Sequence, residues 1–255
     1  MNGRLRTILL IVGTVAVAVT MALGIAGMPA FGGDDHPYRD LAMAAAFRHT
    51  TANAVSSVNF DQRVLDTLGE ETILIAAVAG IVGILRPVRS EQRRPPRVSG
   101  RVLESTRLLA MVLFPITVLI GVDVVTHGAI TPGGGFQGGV VVATGLHLLY
   151  VGGHYPVLEK LRPVSWFERT EAASLMIFVL VGLIGLFAAG QVFANVLPQG
   201  RLTHLLSSGT VPVLNLAVGS AVASSVVVLL ASFLEQALVI TESAKARSDE
   251  DGAAE

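Results

Sequence analysis

Residues 108–126 read LLAMVLFPITVLIGVDVVT, and HGAITPGGGFQGG follows at once as residues 127–139. The first run is long enough to cross ~30 Å of hydrocarbon as a helix. Its one charge, Asp123, sits near the end, about one helical turn before His127. The glycines after it belong to no soluble nucleotide loop. Gly133, Gly135 and Gly138 satisfy GxGxxG formally, but a dinucleotide fingerprint needs a strand before it and a βαβ unit around it. An apolar run precedes it here, and no Gly-Lys-Ser/Thr follows to make a P-loop.

Working outward, five more apolar runs appear: Thr7–Met28, Leu68–Leu85, Phe136–Val151, Ala172–Val192 and Val211–Leu234. The runs at 68 and 136 are short, so they are either extended by their flanks or set deeper inside protein. Arg4 and Arg6 before the first run resemble the start of a signal peptide, but five further runs favour an uncleaved first span. The expectation is an all-α polytopic membrane protein with about six transmembrane helices. The basic residues orient it. Arg39, Arg48, Arg63 and Arg201 fall between spans on one side, and every other lysine and arginine falls on the opposite side. The positive-inside rule makes that second side cytoplasmic and places both termini there, in a cell membrane.

Composition agrees. Hydrophobic residues make up 52% of the 255 and charged ones only 15%, against about a quarter in soluble domains. A net charge of −1 gives no electrostatic case for nucleic acid. Cysteine is absent, which removes thiolate catalysis, cysteine-ligated zinc and cluster ligation from this chain's own repertoire. No metal spacing such as HExxH occurs among His36, His49, His154 and His204. The reading is therefore of no enzyme, no cofactor and no metal, with the bilayer as the surrounding medium.

Residues 86–101, RPVRSEQRRPPRVSGR, have no apolar period and break the chain into a two-span and a four-span part. Their arginines serve as topology anchors or contacts for anionic headgroups. The expected organisation is a two-span region over 1–87, a basic linker over 88–106, a four-span domain over 107–240 and an acidic disordered tail over 241–255.

In the glycine segment Pro132 presets a turn, and Gly133, Gly134, Gly135, Gly138 and Gly139, around Phe136 and Gln137, allow backbone that side chains forbid. Gly134/Gly138 and Gly135/Gly139 are each four apart, which lets a partner helix approach closely. Two uses stay open: tight helix packing, or the lining of an ion or water path.

The stretch 126–139, THGAITPGGGFQGG, resembles the signature of the MnhB subunit of the Mrp/Mnh-type sodium/proton antiporters. Residues 206–230, LSSGTVPVLNLAVGSAVASSVVVLL, resemble the last span of that same MnhB family. Upstream, Asn53, Asp61, Arg63 and Asp66 through Glu70 resemble an element at the carboxyl end of the large subunit of these antiporters, found also as a separate subunit in membrane-bound hydrogenases. Asn59, Gln62 and Val64 depart from it. The resemblance implies a fusion of two neighbouring subunits and, as partners, the other membrane subunits of such a complex together with Na+ and H+.

Four ionisable groups then stand as candidates for an ion or proton path: Glu70, Asp66, Asp123 and His147. The resemblance implies a functionally required glutamate at Glu70, expected in the first turn of span two and enclosed by helices. Thr67–Glu70 also spells a capping box, which would assign Glu70 to the helix end instead. Glu71 is read as a wetted neighbour. Asp123 either lines a path or pairs with His127, and His147 either relays protons or satisfies a neighbour. Asn215 and Gln191 are read as interhelical hydrogen-bonders. No lysine lies in any span, and no inverted repeat of broken helices is present. The function expected is an accessory, pathway-forming subunit of a monovalent cation (Na+)/proton antiporter. A membrane subunit of a redox-driven, hydrogenase-type complex and a purely structural scaffold are the alternatives.

Overall fold

The computed structural model describes residues 3–28, 32–33, 36–85, 102–161 and 164–251. It is all-helical and polytopic in character. In chain order the helices are α1 (Gly3–Ala26), α2 (Pro37–Arg48), α3 (Ala54–Ser57), a π-helical turn (Val58–Gln62), α4 (Val64–Ile84) and α5 (Glu104–Thr126). There follow α6 (Gly135–Val151), α7 (Tyr155–Leu161), α8 (Val164–Ala189) and α9 (Val211–Asp251). Five are long and apolar enough to cross a membrane, from α1, α4, α5, α8 and α9; α6 is apolar but shorter. At 17 residues α6 still reaches ~25 Å.

Chain contacts divide the protein into Met1–Leu41 and Ala42–Glu255. In the first unit α1 is apolar on every side and buries no residue. A helix of that kind needs lipid or another protein around it. In the second unit α9 is the central element: 67% of its apolar window is buried, against 17–22% for α4, α5 and α8. The reason is side-chain size. Ala217, Gly219, Ala221, Ala223, Ser224 and Ser225 follow in close succession, and small residues let neighbouring backbones approach. A Cβ on Gly139 would stand 2.7 Å from the Gly219 carbonyl oxygen, and one on Gly138 would stand 2.6 Å from that of Gly121. α6 is thus wedged between α5 and α9 with no room for a methyl group on either face.

Two apolar clusters organise this unit. One joins Phe60 and Val64 to Phe178, Phe193, Val211, Leu214, Val218 and Val222. The other gathers Ala143, Leu146, Leu149, Leu158 and Val227. Val64 and Val211 begin α4 and α9 and share the first cluster, so these two helices start at the same end. α8 runs the opposite way: Phe178 stacks edge-on against Phe193 with centroids 5.5 Å apart, in the connection that leads into α9.

Some boundaries differ from the expectation. α4 begins at Val64 rather than Leu68, because the π-helical turn feeds directly into it. The backbone is helical through Asp251 where a disordered tail is expected. Thr241–Asp251 contains no glycine or proline, and its Glu, Lys, Ala and Arg residues are good helix formers. Residues 252–255 and most of the basic linker, including 86–101, lie outside the described residues.

Candidate functional site

The glycine segment is held by two asparagines from distant parts of the chain. Asn53 caps α3, its Oδ1 accepting from the Val55 and Ser56 amides. Its Nδ2 donates to the carbonyls of Gly128 and Thr131, both at 2.8 Å. Its own amide donates to the Ala129 carbonyl at 3.1 Å. From the other side Asn215, 0% exposed, accepts the Gly135 amide on Oδ1 at 2.9 Å. Its Nδ2 donates to Ser56 Oγ at 2.8 Å and to the Val211 carbonyl at 3.1 Å. One side chain therefore satisfies the first amide of α6, ties α3 to α9 and uses both ends of its amide.

Glycine is required here for two reasons. Gly133 and Gly134 have φ of 118° and 141°, in the region that L side chains avoid. A Cβ on Gly128 or Gly134 would meet Asn215 Oδ1 at 2.6 or 2.8 Å. A Cβ on Gly135 would stand 2.6 Å from the Asn215 carbonyl oxygen, so Gly135, Gly138 and Gly139 each face a neighbouring backbone at close range. Gln137 is exposed on the far side of α6, and Phe136 is half-buried.

A second polar knot lies where α2 ends. His49 Nδ1 and Asp61 Oδ2 are 2.5 Å apart. Asn195 Nδ2 donates to the other Asp61 oxygen at 3.1 Å and to the Ser208 carbonyl at 3.0 Å. The Thr210 amide returns a bond to Asn195 Oδ1 at 2.9 Å. The Thr50 hydroxyl bonds the Gln199 carbonyl, and Ser208 Oγ donates to the Thr50 carbonyl at 3.1 Å. Thr50, Phe193, Thr203 and Ser208 all have positive φ, a strained conformation for non-glycine residues. Thr50 and Ser208 are held in it by these bonds.

The carboxylates fall differently from the sequence expectation. Glu70 is exposed and lies well inside α4, not in its first turn. The capping box is not formed, since α4 begins earlier and the Thr67 hydroxyl donates to the Asn59 carbonyl at 2.7 Å. Glu71, expected to be wetted, is 1% exposed, and neither carboxyl oxygen has a hydrogen-bond partner among the described residues. The reason is helical rotation. A start at Val64 turns Val64, Thr67, Glu71 and Val78 to the interior, a three- and four-residue spacing that leaves position 70 outside.

Asp66 is exposed and paired with Arg63. Asp123 is exposed, with His127 Nδ1 at 3.0 Å. His147 is half-buried in α6. Glu70, Asp66, Asp123 and His147 are therefore not gathered at one point of this chain. Asn215 does bond between helices as expected, whereas Gln191 is exposed just after α8. Among the described residues no group of three or more His, Asp or Glu is placed to hold a metal ion.

Sequence reasoning missed Glu171. It lies in α8 at 8% exposure, with the fully buried Ser225 hydroxyl of α9 donating to its Oε1. The Glu171 charge reaches Glu71 across the contact between α8 and α4. The available signal was weak: Glu171 follows Glu168 and Arg169 in a charged stretch that ends where the apolar run begins at Ala172.

Comparison with known proteins fits this architecture. Residues 105–228 match the family model described as a domain related to the MnhB subunit of Na+/H+ antiporters. An uncharacterized protein of the archaeon Methanocaldococcus jannaschii is 30% identical over 194 residues, 66% of this chain and 71% of that one. Among solved structures, a chain of the membrane-bound sulfane sulfur reductase, an archaeal respiratory membrane complex, superposes with a TM-score of 0.69. It is 31% identical, with 90% of this chain and 98% of that one covered. A chain of the Mrp complex from Dietzia sp. DQ12-45-1b gives a TM-score of 0.64 at 25% identity. There 91% of this chain is covered, but it spans only 26% of the Mrp chain.

Proposed function

The chain belongs to the family of the MnhB-related domain of Na+/H+ antiporters, and from that premise we propose that it is a pathway-forming subunit of a multi-subunit monovalent cation/proton antiporter. The single observation that carries the reading is Glu71, a carboxyl fully enclosed in an apolar span with no hydrogen-bond partner among the described residues. An ionised carboxylate left in such a place costs several kcal/mol. Intramembrane acids at that cost mark ion and proton routes. Glu70, on the outer face of the same helix, meets a neighbouring subunit in this reading and passes charge to or from it. Asp66, Asp123 and His147 line the approaches. Both termini face the cytoplasm, with 1–87 and 107–240 working as two fused modules.

The test is Na+-dependent proton movement in inverted membrane vesicles carrying the assembled complex. Glu71→Gln keeps the shape of the side chain and removes its proton exchange, so transport falls by about tenfold or more while the complex still assembles. Full transport with Glu71→Gln would reduce the chain to a scaffold. Glu70→Gln run alongside separates the enclosed acid from the one on the surface.

One observation favours a second reading, that of a membrane subunit in a redox-driven ion-pumping complex. The likeness to the archaeal respiratory chain extends over 98% of that chain. The co-purifying proteins decide between the two. Iron–sulfur or nickel subunits would replace the antiporter reading by the redox-driven one, and the role of Glu71 would carry over.

A further inference from the structure

Glu171 is a second enclosed acid of this chain, bonded by Ser225 of α9. Asn215, one turn into α9, bonds Ser56, which lies just before α4, so α4 and α9 start at one end of the unit. Glu71 lies two turns into α4, ~10 Å from its start at 1.5 Å per residue. Ser225, which holds Glu171, lies four turns into α9, ~21 Å from its start. Glu171 therefore sits deeper than Glu71 by up to ~10 Å along helices that cross ~30 Å of hydrocarbon.

We propose that Glu71 and Glu171 are two successive proton stations inside this single chain, with Ser225 as the positioning residue of the second. The proposal rests on the transport reading above and deepens it. The two sites are chemically unlike. Glu71 has no donor within reach among the described residues, an environment that suits a neutral carboxylic acid. Glu171 receives the Ser225 O–H, a donor of the kind that Glu71 lacks among the described residues. One step then breaks the O–H bond on Glu71 and forms one on Glu171. The first group becomes ionised, the second neutral, and the pair keeps one negative charge throughout.

Among the described residues the other charged groups acting on the pair are Glu70 of α4 and Glu168 of α8, both exposed; α9 contributes the Ser225 hydroxyl.

The experiment uses the whole complex reconstituted in proteoliposomes, with proton flux and Na+ uptake followed separately across a pH series. Glu171→Gln is expected to lower proton flux about tenfold or more, as Glu71→Gln does. Ser225→Ala is expected to keep measurable flux but move its pH of half-maximal rate by about one unit. If Glu71→Gln abolishes flux while Glu171→Gln and Ser225→Ala leave rate and pH profile unchanged, the second station is refuted and the transport reading stands. If Glu71→Gln also transports fully, both go. Should Glu171→Gln prevent assembly, Glu171→Asp and Ser225→Ala decide. Unaltered flux and pH profile in both would overturn the proposal, and a reduced rate or moved profile in either would support it.

Discussion

At the scale of single residues, Asn215 and the glycines around it do more to define the four-helix part than any apolar side chain. Asn215 satisfies the Gly135 amide, Ser56 and a carbonyl of its own helix while 0% exposed. Replacing it with leucine removes all three bonds and leaves a buried amide without an acceptor. Each stranded buried group costs about 1–3 kcal/mol. Asn215→Leu is therefore expected to lower the unfolding temperature of the detergent-purified complex and its yield. An unchanged melting profile would show that the amide finds water instead. Gly138→Ala is a test of a different kind. Its added methyl would meet the Gly121 carbonyl oxygen at 2.6 Å and the Val125 amide nitrogen at 2.9 Å, and neither backbone can move without parting α5 from α6. Overpacking of this sort costs about 1–3 kcal/mol, so the variant is expected to assemble poorly even though alanine is the better helix former. Normal assembly would mean that the two helices have slack.

At the scale of elements, the segment from α3 through the π-helical turn into α4 sets which acid faces inward. Asn53 holds α3 by its cap and also grips the carbonyls of Gly128 and Thr131. Asn53→Ala loses a cap worth about 0.5–2 kcal/mol and frees the turn before α6. The expected outcome is faster proteolysis and amide exchange over 127–134, with α5 and α8 unaffected; uniform exchange across the chain would argue against this local role. The π-helical turn carries an extra residue relative to an α-helix, and a shift of one residue here would rotate α4 by ~100°. Glu70 would then take the inward position of Glu71, and Glu71 the exposed position of Thr72. That is why neither the capping box at Thr67–Glu70 nor the position of Glu71 in the sequence tells which acid faces inward: those patterns are local, and the start of the helix is decided by Phe60 and Val64 entering a cluster with Phe178 and Phe193.

At the scale of the whole molecule, the absence of cysteine makes the proposed topology directly measurable. Single substitutions Ser90→Cys and Arg201→Cys, the latter at an exposed position, should react with a membrane-impermeant thiol reagent from opposite sides, Ser90→Cys from the cytoplasmic side. Labelling of both from one side would overturn the even span count and the placement of the termini. The exposed apolar faces of α1, α4, α5 and α8 belong against lipid and partner subunits, in keeping with relatives drawn from multi-subunit membrane complexes.

Length and hydropathy alone were enough to recover an all-helical membrane chain and the approximate position of each long apolar helix, because crossing hydrocarbon demands unbroken apolar helix wherever it happens. The motif 126–139 likewise announced the family, since backbone at φ of 118° and 141° tolerates only glycine. Which carboxyl is buried was not legible there. Glu70 and Glu71 are adjacent and chemically identical, and Glu171 reads as one more acid at the edge of a span. Only the packing of α4, α8 and α9 around small residues of α9 separated them, because burial depends on helix rotation and neighbours, which no single segment contains.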